Sequence, residues 1–535
     1  MAPVKASRMA PTNSEKVRRT TPAASLISRH RPICRPGRPF EQPVNILALL
    51  RRAVPEQGWR APSIPNLSAS DLRSLRHIFS FRHYDAEPSA EDTNDPGILQ
   101  RLFAHGLCVD LDSAQSTLHP LAIDKLVEAG LLYEENRGIK SHFQAQRYNG
   151  LIFFSDFFRW ESDPDFVLPI GPAGNYLALL TIRRHVESTL DLGCGCGVQS
   201  LLAARHSNRV IATDINLRAL ALTRFNAQLN DIHNIETRHG SYFEPVKDQR
   251  FDLIVANLPY VITPEKRLVY RTVDQPGDAG THERLNEIPA YLKEDGFAQI
   301  LINWVHEKNQ DPSEPIRRTI EGRYVNAWLI HNASKQPLQY ARMWLKHGNR
   351  SNPRKLEKME QSWLRWYRGH HIEQIALGAI FLQRRSSQRN WFCSATVNRT
   401  LEEQAGKQFL RLFAAQDYLD KIDDPNILLN EAFLPVDLDF AGDEDRPIVH
   451  ANHGSRFELR IRPSTKAILQ TLDGKMTLEN PIQVVSHESG KEAVQIRHEV
   501  LADMKELLKF GIILPQSFIP LVQPLSSDSN PVRWD

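Results

Sequence analysis

Two clusters of residues in the 535-residue chain have the types and spacing that chemistry needs. In the first, a short apolar run over 188–192 carries Asp191 and opens into Gly193, Gly195 and Gly197 at alternate positions. Helical spacing of Val198, Leu201 and Leu202 begins at once, so the pattern predicts a buried strand, a tight turn and a helix. Glycine has no Cβ, and such a turn can take positive φ and let a ligand lie against its backbone. A second apolar run, 209–214, ends in Asp214, 21 positions after Gly193. An acid roughly 20 residues beyond a glycine turn is where a doubly wound nucleotide-binding fold meets ribose hydroxyls. In the second cluster, Asn257, Leu258, Pro259 and Tyr260 follow the apolar run 251–256. That order places an amide and an aromatic ring where the carboxyl edge of such a sheet opens onto its ligand.

The spacing departs from the dinucleotide pattern, because position 198 is not glycine and an acid precedes the first glycine. The resulting Asp-x-Gly-x-Gly-x-Gly form, Asp191 to Gly197, resembles the first motif of class I S-adenosylmethionine (SAM)-dependent methyltransferases. It is most similar to their small-domain group, which includes release-factor glutamine methyltransferases and ribosomal-RNA guanine methyltransferases. The likeness runs over residues 166–385 and includes Gly171-Pro-Ala-Gly174 and Gly240-Ser-Tyr-Phe-Glu-Pro245. It implies SAM as cofactor, held by Asp191, Gly193, Cys194, Gly195, Gly197, Asp214, Ile215, Ser241 and Asn257. Within that set Asp214 would accept the ribose hydroxyls, Asp191 would orient the turn, and Ser241 stands where the family usually offers a polar or acidic residue to the adenine.

The resemblance also assigns the second cluster. Asn257-Leu-Pro-Tyr260 is similar to the Asn-Pro-Pro-Tyr motif, in which the Asn side-chain oxygen and the next backbone carbonyl accept hydrogen bonds from a planar NH₂ while the aromatic ring stacks on it. Two acceptors aligned on those hydrogens help turn a delocalised lone pair toward the methyl group. Leu258 replaces the first proline, as in the similar motif of ribosomal-RNA adenine dimethylases, so Asn257, Leu258, Pro259 and Tyr260 are the implied catalytic set. His282 and Glu283 are candidates for a general base, although a cationic donor and an NH₂ acceptor often need none. Residues 261–283, interrupted by Pro264, Pro276, Gly277 and Gly280, are expected to form a mobile segment over the substrate pocket.

The elements that must position these residues alternate. Strands are expected near 189–192, 210–213, 234–237, 251–256, 297–302, 324–330 and 378–382, with helices such as 217–229 between them. Alternation of this kind predicts an α/β fold, a doubly wound and mostly parallel seven-stranded sheet. Helices at 339–345 and 354–368 separate the last two strands. Leu356, Met359, Trp363 and Tyr367 share one face of the second, a stripe expected to be core. The sheet would occupy residues 165–390. Before it, 43–160 reads as a small helical or winged-helix-like domain with helices at 46–52, 70–79, 95–105 and 120–129. After it, 391–454 reads as an irregular linker and 455–535 as a second winged-helix-like module. The acid-rich stretch 434–446 (Asp437, Asp439, Asp443, Glu444 and Asp445) reads as a solvated loop.

The net charge of +3 hides an asymmetry. Residues 1–40 carry nine Lys or Arg against one acid, a contribution of +8, which leaves −5 for the remainder. The region 1–42 is therefore expected to be a disordered basic tail, and the body lacks the global basic excess of a nonspecific nucleic-acid binder. Five scattered cysteines fit a reducing, cytoplasmic setting. Cys194 and Cys196 read as small filler in the turn, and no metal site is expected. No run of 18 apolar residues suggests a membrane span. Modules on both sides of a catalytic sheet favour a macromolecular substrate, protein or RNA, over a small molecule. A noncatalytic binding module is the rival from another class, and oligomeric state is left open.

Overall fold

The computed structural model describes residues 63–81, 97–157, 165–265, 277–345, 353–386, 390–397, 405–435, 438–451 and 457–516. The basic tail, the helix expected at 46–52 and the middle of the 261–283 segment lie outside these residues.

The N-terminal region begins with the helix Ala69–Phe81, near its expected place. A strand Val109–Asp110, helices Leu111–Leu118 and Ile123–Glu128 and the hairpin Leu132–Glu135 with Gly138–Ser141 follow. The three strands form one small sheet, and a helical turn, Gln100–Ala104, precedes them within the helix expected at 95–105. Asp110 starts the first short helix by accepting the Ser113 backbone N–H at 2.8 Å. A second hairpin, Phe143–Tyr148 with Leu151–Asp156, then leads toward the large sheet.

The large sheet has eight strands: β1 Val186–Leu192, β2 Ser207–Asp214, β3 Ile235–His239, β4 Phe251–Ala256, β5 Leu292–His306, β6 Val325–Lys335, β7 Gln374–Arg384 and β8 Phe392–Thr396. Their order is β8-β6-β7-β5-β4-β1-β2-β3. All pairs are parallel except those of β7, which runs antiparallel to β5 and β6. The seven expected strands are present, and β8 is an addition. It pairs with β6 at the sheet edge and its residues are half-buried or exposed, so no apolar run marked it.

The linker reading of 391–454 is overturned with it. Beyond β8 this stretch holds the helix α8, Ala405–Leu419, whose Phe409 stacks on Phe381 of β7 at 3.9 Å. The acid-rich stretch is not a loop either, because Leu438–Asp443 and Arg446–Ala451 form a hairpin; Asp437 lies outside the described residues. Alternating half-buried and exposed positions let a strand carry acids on its solvent face. Three helices, Pro463–Leu469, Glu479–Ser489 and Ala493–Lys509, and the strand Ile513–Pro515 complete the C-terminal region. That last strand pairs with Phe433–Pro435.

Helices α1 Pro172–Leu180, α2 Val198–Ala204, α3 Leu217–Leu229, α4 Ala279–Glu287 and α5 Glu314–Ile320 connect the strands of the large sheet. Two more, α6 Pro337–Leu345 and α7 Pro353–Gly369, form a hairpin between β6 and β7. Apolar packing joins the flanking regions to the large sheet. Phe79, Phe103 and Phe154 of the N-terminal region share one core with Leu201, Leu222 and Phe225 of α2 and α3. Phe457 and Phe510 of the C-terminal region pack against Trp328 of β6.

Candidate active site

Register brings the sequence clusters together. Leu192 pairs with Thr213 of β2 on one side and with Ala256 of β4 on the other. Gly193, Asp214 and Asn257 therefore leave three adjacent parallel strands at one edge. Between β1 and β4 the strand order reverses, the topological switch point at which doubly wound sheets open a crevice for ligands.

The glycine turn is built to be approached. Gly193, Gly195 and Gly197 have φ of +80°, +55° and +85°. A Cβ on Gly197 would come within 2.9 Å of Thr223, whereas one on Gly195 would meet nothing within 4 Å. Gly197 is thus demanded by packing as well as by φ, and Gly195 faces open space. Gly193 and Cys194 both donate to the Thr213 carbonyl, at 2.9 and 3.0 Å. Thr223 Oγ1 donates to the Gly195 carbonyl at 3.0 Å, and Asn226 Nδ2 to that of Cys196 at 2.8 Å.

Asp191 lies under the turn, 2% exposed, and accepts the Ser200 hydroxyl at 2.5 Å. Burial pushes its carboxyl up to about 7 against that hydrogen bond, with the Asp214 charge adding to the rise. Burial also raises Asp214, opposed by the N–H groups of Asn216, Gly195 and Ile215. The Gly195 bond is 3.0 Å long and the Asn216 bond 2.8 Å. Each carboxylate oxygen has a further lone pair to offer. Cys194 and Cys196 are buried free thiols; burial raises both, Cys196 to about 12. Among the described residues no group of three or more His, Cys, Asp or Glu could hold a metal ion.

Ile215 follows Asp214 directly, and its carbonyl accepts the His239 ring N–H at 3.0 Å. Ser241 stands in the loop after β3, which is tied to Asp214 by Gly240 N–H donating to the Asp214 carbonyl at 3.2 Å. Asn257 is half-exposed, and its side-chain amide has no hydrogen-bond partner among the described residues. Leu258 is 9% exposed. It reaches back to the turn, since a Cβ on Gly193 would lie 3.4 Å from its side chain. Pro259 and Tyr260 line a pocket with Leu258, Tyr242, Thr281 and Arg284.

Tyr242 and Arg284 are additions to the expected set, with the guanidinium 4.0 Å above the Tyr242 ring. The signal for both was present, because Tyr242 sits inside the Gly240 to Pro245 segment and Arg284 directly follows His282 and Glu283. His282 itself is held between Asp278 and Thr319, which braces α4 against α5. Glu283 pairs with Arg284 at 2.6 Å.

The chain behind the motif is also held. Ile262 N–H donates to Tyr340 Oη at 3.1 Å, and its carbonyl accepts Tyr367 Oη at 2.8 Å. Trp363 Nε1 donates to Glu265 at 3.1 Å. The aromatic stripe of α7 is core, as expected, with Trp363 3% and Tyr367 0% exposed. That core is what grips residues 261–265.

A mostly parallel sheet with a glycine turn, an acid at the end of the next strand and an Asn-Leu-Pro-Tyr turn at one switch point is a Rossmann-like methyltransferase fold. The residues fit SAM: Gly195 faces open space, and Asp214 keeps acceptor capacity beside it.

The chain belongs to the methyltransferase small domain family, whose description matches residues 173–279. A Methanocaldococcus jannaschii protein assigned as a protein N5-glutamine methyltransferase is 33% identical over 139 residues, 24% of this chain and 70% of its own length. The release factor glutamine methyltransferase of Aliivibrio fischeri is 40% identical over 88 residues, 16% of this chain and 31% of that protein. This chain thus spans less than a third of that relative's length. A solved rRNA methylase structure from Streptococcus thermophilus covers 41% of this chain and 99% of its own, at 17% identity and a TM-score of 0.24, a likeness too slight to carry weight.

Proposed function

We propose that this chain transfers a methyl group from SAM to a planar nitrogen of a macromolecule, either a protein glutamine amide or an exocyclic amine of a nucleic-acid base. One observation carries the reading. The Asn257 amide stands half-exposed at the end of β4, next to the glycine turn, with no hydrogen-bond partner among the described residues. A polar side chain that stabilised only its own turn would be bonded to it.

Bound SAM supplies a methyl on a sulfonium, an electrophile that needs only a positioned lone pair. Every other part falls to the chain. The backbone of Gly193 to Gly197 and the acceptor oxygens of Asp214 would hold the donor, with Ile215 and Ser241 beside them. The Asn257 side-chain oxygen and the Leu258 carbonyl would accept the hydrogens of the substrate NH₂, and Tyr260 would stack on its plane. Acceptors held in place before the substrate arrives cost no reorganisation during transfer. The M. jannaschii and A. fischeri relatives are named for glutamine methylation, which supports the nitrogen class. The unpaired thiols support a cytoplasmic setting.

The test is methyl transfer from labelled SAM to a cell lysate, split afterwards by protease and by nuclease. Label lost to one treatment and absent with Asn257→Ala supports the reading. Label confined to small molecules would overturn it.

A further inference from the structure

We propose that the outer face of α7 is an RNA-docking surface that presents a base amine to the Asn-Leu-Pro-Tyr turn. The inference rests on the methyltransferase reading above and selects nucleic acid within it.

The charge distribution is the first observation. Residues 337–369 contain eight Lys or Arg and two Glu, a net +6, inside a body whose total beyond residue 40 is −5. Arg354, Lys358, Arg365 and Arg368 follow one another at steps of four, seven and three residues. At about 100° per residue those steps keep all four within one narrow stripe. All four are exposed, and Gln361 is the exposed residue between them. The stripe lies opposite the buried Trp363 and Tyr367. An ordinary solvated helix face mixes signs, whereas the four basic positions here have one exposed acid, Glu357, bordering the stripe about 20° outside it. Of the two Glu, Glu360 is 8% exposed and paired with Arg342 at 3.1 Å.

Position is the second observation. The opposite face of the same helix bonds the chain just behind Tyr260, through Tyr367 to Ile262 and Trp363 to Glu265. A strand docked on α7 is thus coupled through one rigid element to the methyl-acceptor site. From Arg354 to Arg368 the stripe runs about 21 Å, several phosphate repeats of a nucleic-acid strand. Near its C-terminal end Trp366 is half-buried and lies tilted at 35° against His370 with ring centroids 4.3 Å apart. An aromatic pair beside a phosphate track suits an unstacked base, as single-stranded RNA presents.

The experiment uses the full chain, so the basic tail is the same in every sample. Binding of a short labelled single-stranded RNA of mixed sequence is followed by anisotropy across a salt series, without SAM. The comparison is the wild type against a quadruple variant carrying Arg354→Gln, Lys358→Gln, Arg365→Gln and Arg368→Gln. The expected results are at least a ~30-fold loss of RNA affinity and a log–log salt slope shallower by about 3, at roughly 0.7 per phosphate contact on a single strand. SAM affinity of the variant stays at the wild-type value. If the quadruple variant does not fold, the four single Gln variants replace it, each expected to lower the slope by about 0.7. An unchanged RNA affinity and slope would overturn the proposal. So would retained RNA binding with loss of methylation in an acidic protein fraction, which would assign the stripe to a protein partner. Failure of the wild type to bind SAM would count against the enzymatic reading, while the RNA measurement still decides the stripe.

Discussion

The side-chain amide of Asn226 donates to the Cys196 carbonyl at 2.8 Å and to the Phe154 carbonyl at 2.9 Å. Its oxygen accepts the Phe154 N–H at 2.8 Å. One buried residue of α3 thus fastens the glycine turn to a strand of the N-terminal region. One turn further along, Asn230 bonds both backbone groups of Ile152 in the same way. The buried ion pair of Arg218 with Asp156 closes the row. The N-terminal region therefore acts as a brace on the glycine turn.

Replacing Asn226 by Ala removes three buried hydrogen bonds, each worth about 1 kcal/mol net, and strands three backbone groups. A loss of about 3 to 5 kcal/mol of stability is expected in a denaturant titration. Calorimetry should show weaker SAM binding as well. A variant that loses stability but keeps full SAM affinity would show that the brace does not reach the turn.

Asp214→Ala should raise the SAM dissociation constant by at least ~10-fold, since one or two charge-assisted hydrogen bonds are worth about 1.5 to 3 kcal/mol each. Because Asp214 also accepts from Gly195 and Asn216, its melting temperature should fall too. Asp214→Asn keeps one acceptor oxygen and should sit between the two. Calorimetric affinities equal to wild type in both variants would remove Asp214 from the cofactor site.

The Asn257 side chain makes no hydrogen bond within the described residues, so Asn257→Ala should leave stability and SAM affinity nearly untouched. Turnover should drop by roughly 10²- to 10³-fold, the usual loss for a preorganised polar contact. Single-turnover kinetics at saturating SAM separate the two effects. Equal losses in affinity and rate would make the residue structural.

Asp191 predicts a pH dependence. Its carboxyl is at about 7 in the native chain and near 3.9 when unfolded, so the native state binds its proton more tightly. Unfolding releases that proton between those values, and stability therefore declines as pH rises from about 4 to about 7 and is level above. Asp191→Asn, which can still accept from Ser200, should flatten this decline. Melting curves across that window without SAM are the check, and identical slopes in the two proteins would contradict it.

The alternation of strands and helices from β1 to β7 was legible because each central strand is a continuous apolar run bounded by turn residues. Asp191, the three glycines, Asp214 and the Asn257 turn stood out for a related reason. They sit at strand ends, where a residue type is chosen by the backbone or by a ligand and contrasts with its neighbours. The edge strand β8 and the acidic hairpin 438–451 were not legible, since half-exposed strands carry polar residues and mimic loops. Nor was Asn226, a polar residue in a helix buried over most of its length.

By itself, then, the amino-acid order determined the strand-turn-helix unit, the place of the acids and the Asn-Leu-Pro-Tyr turn, because each depends on neighbours within a few positions. Only the tertiary structure decided that Leu192, Thr213 and Ala256 stand in register, that Asn226 and Phe154, 72 residues apart, share a bond network, and that α7 turns its basic face outward while its aromatic face holds the chain behind Tyr260. Those relations depend on how sheet and helices close over a common core. The burial and the backbone groups that demand a partner exist only once that core has formed.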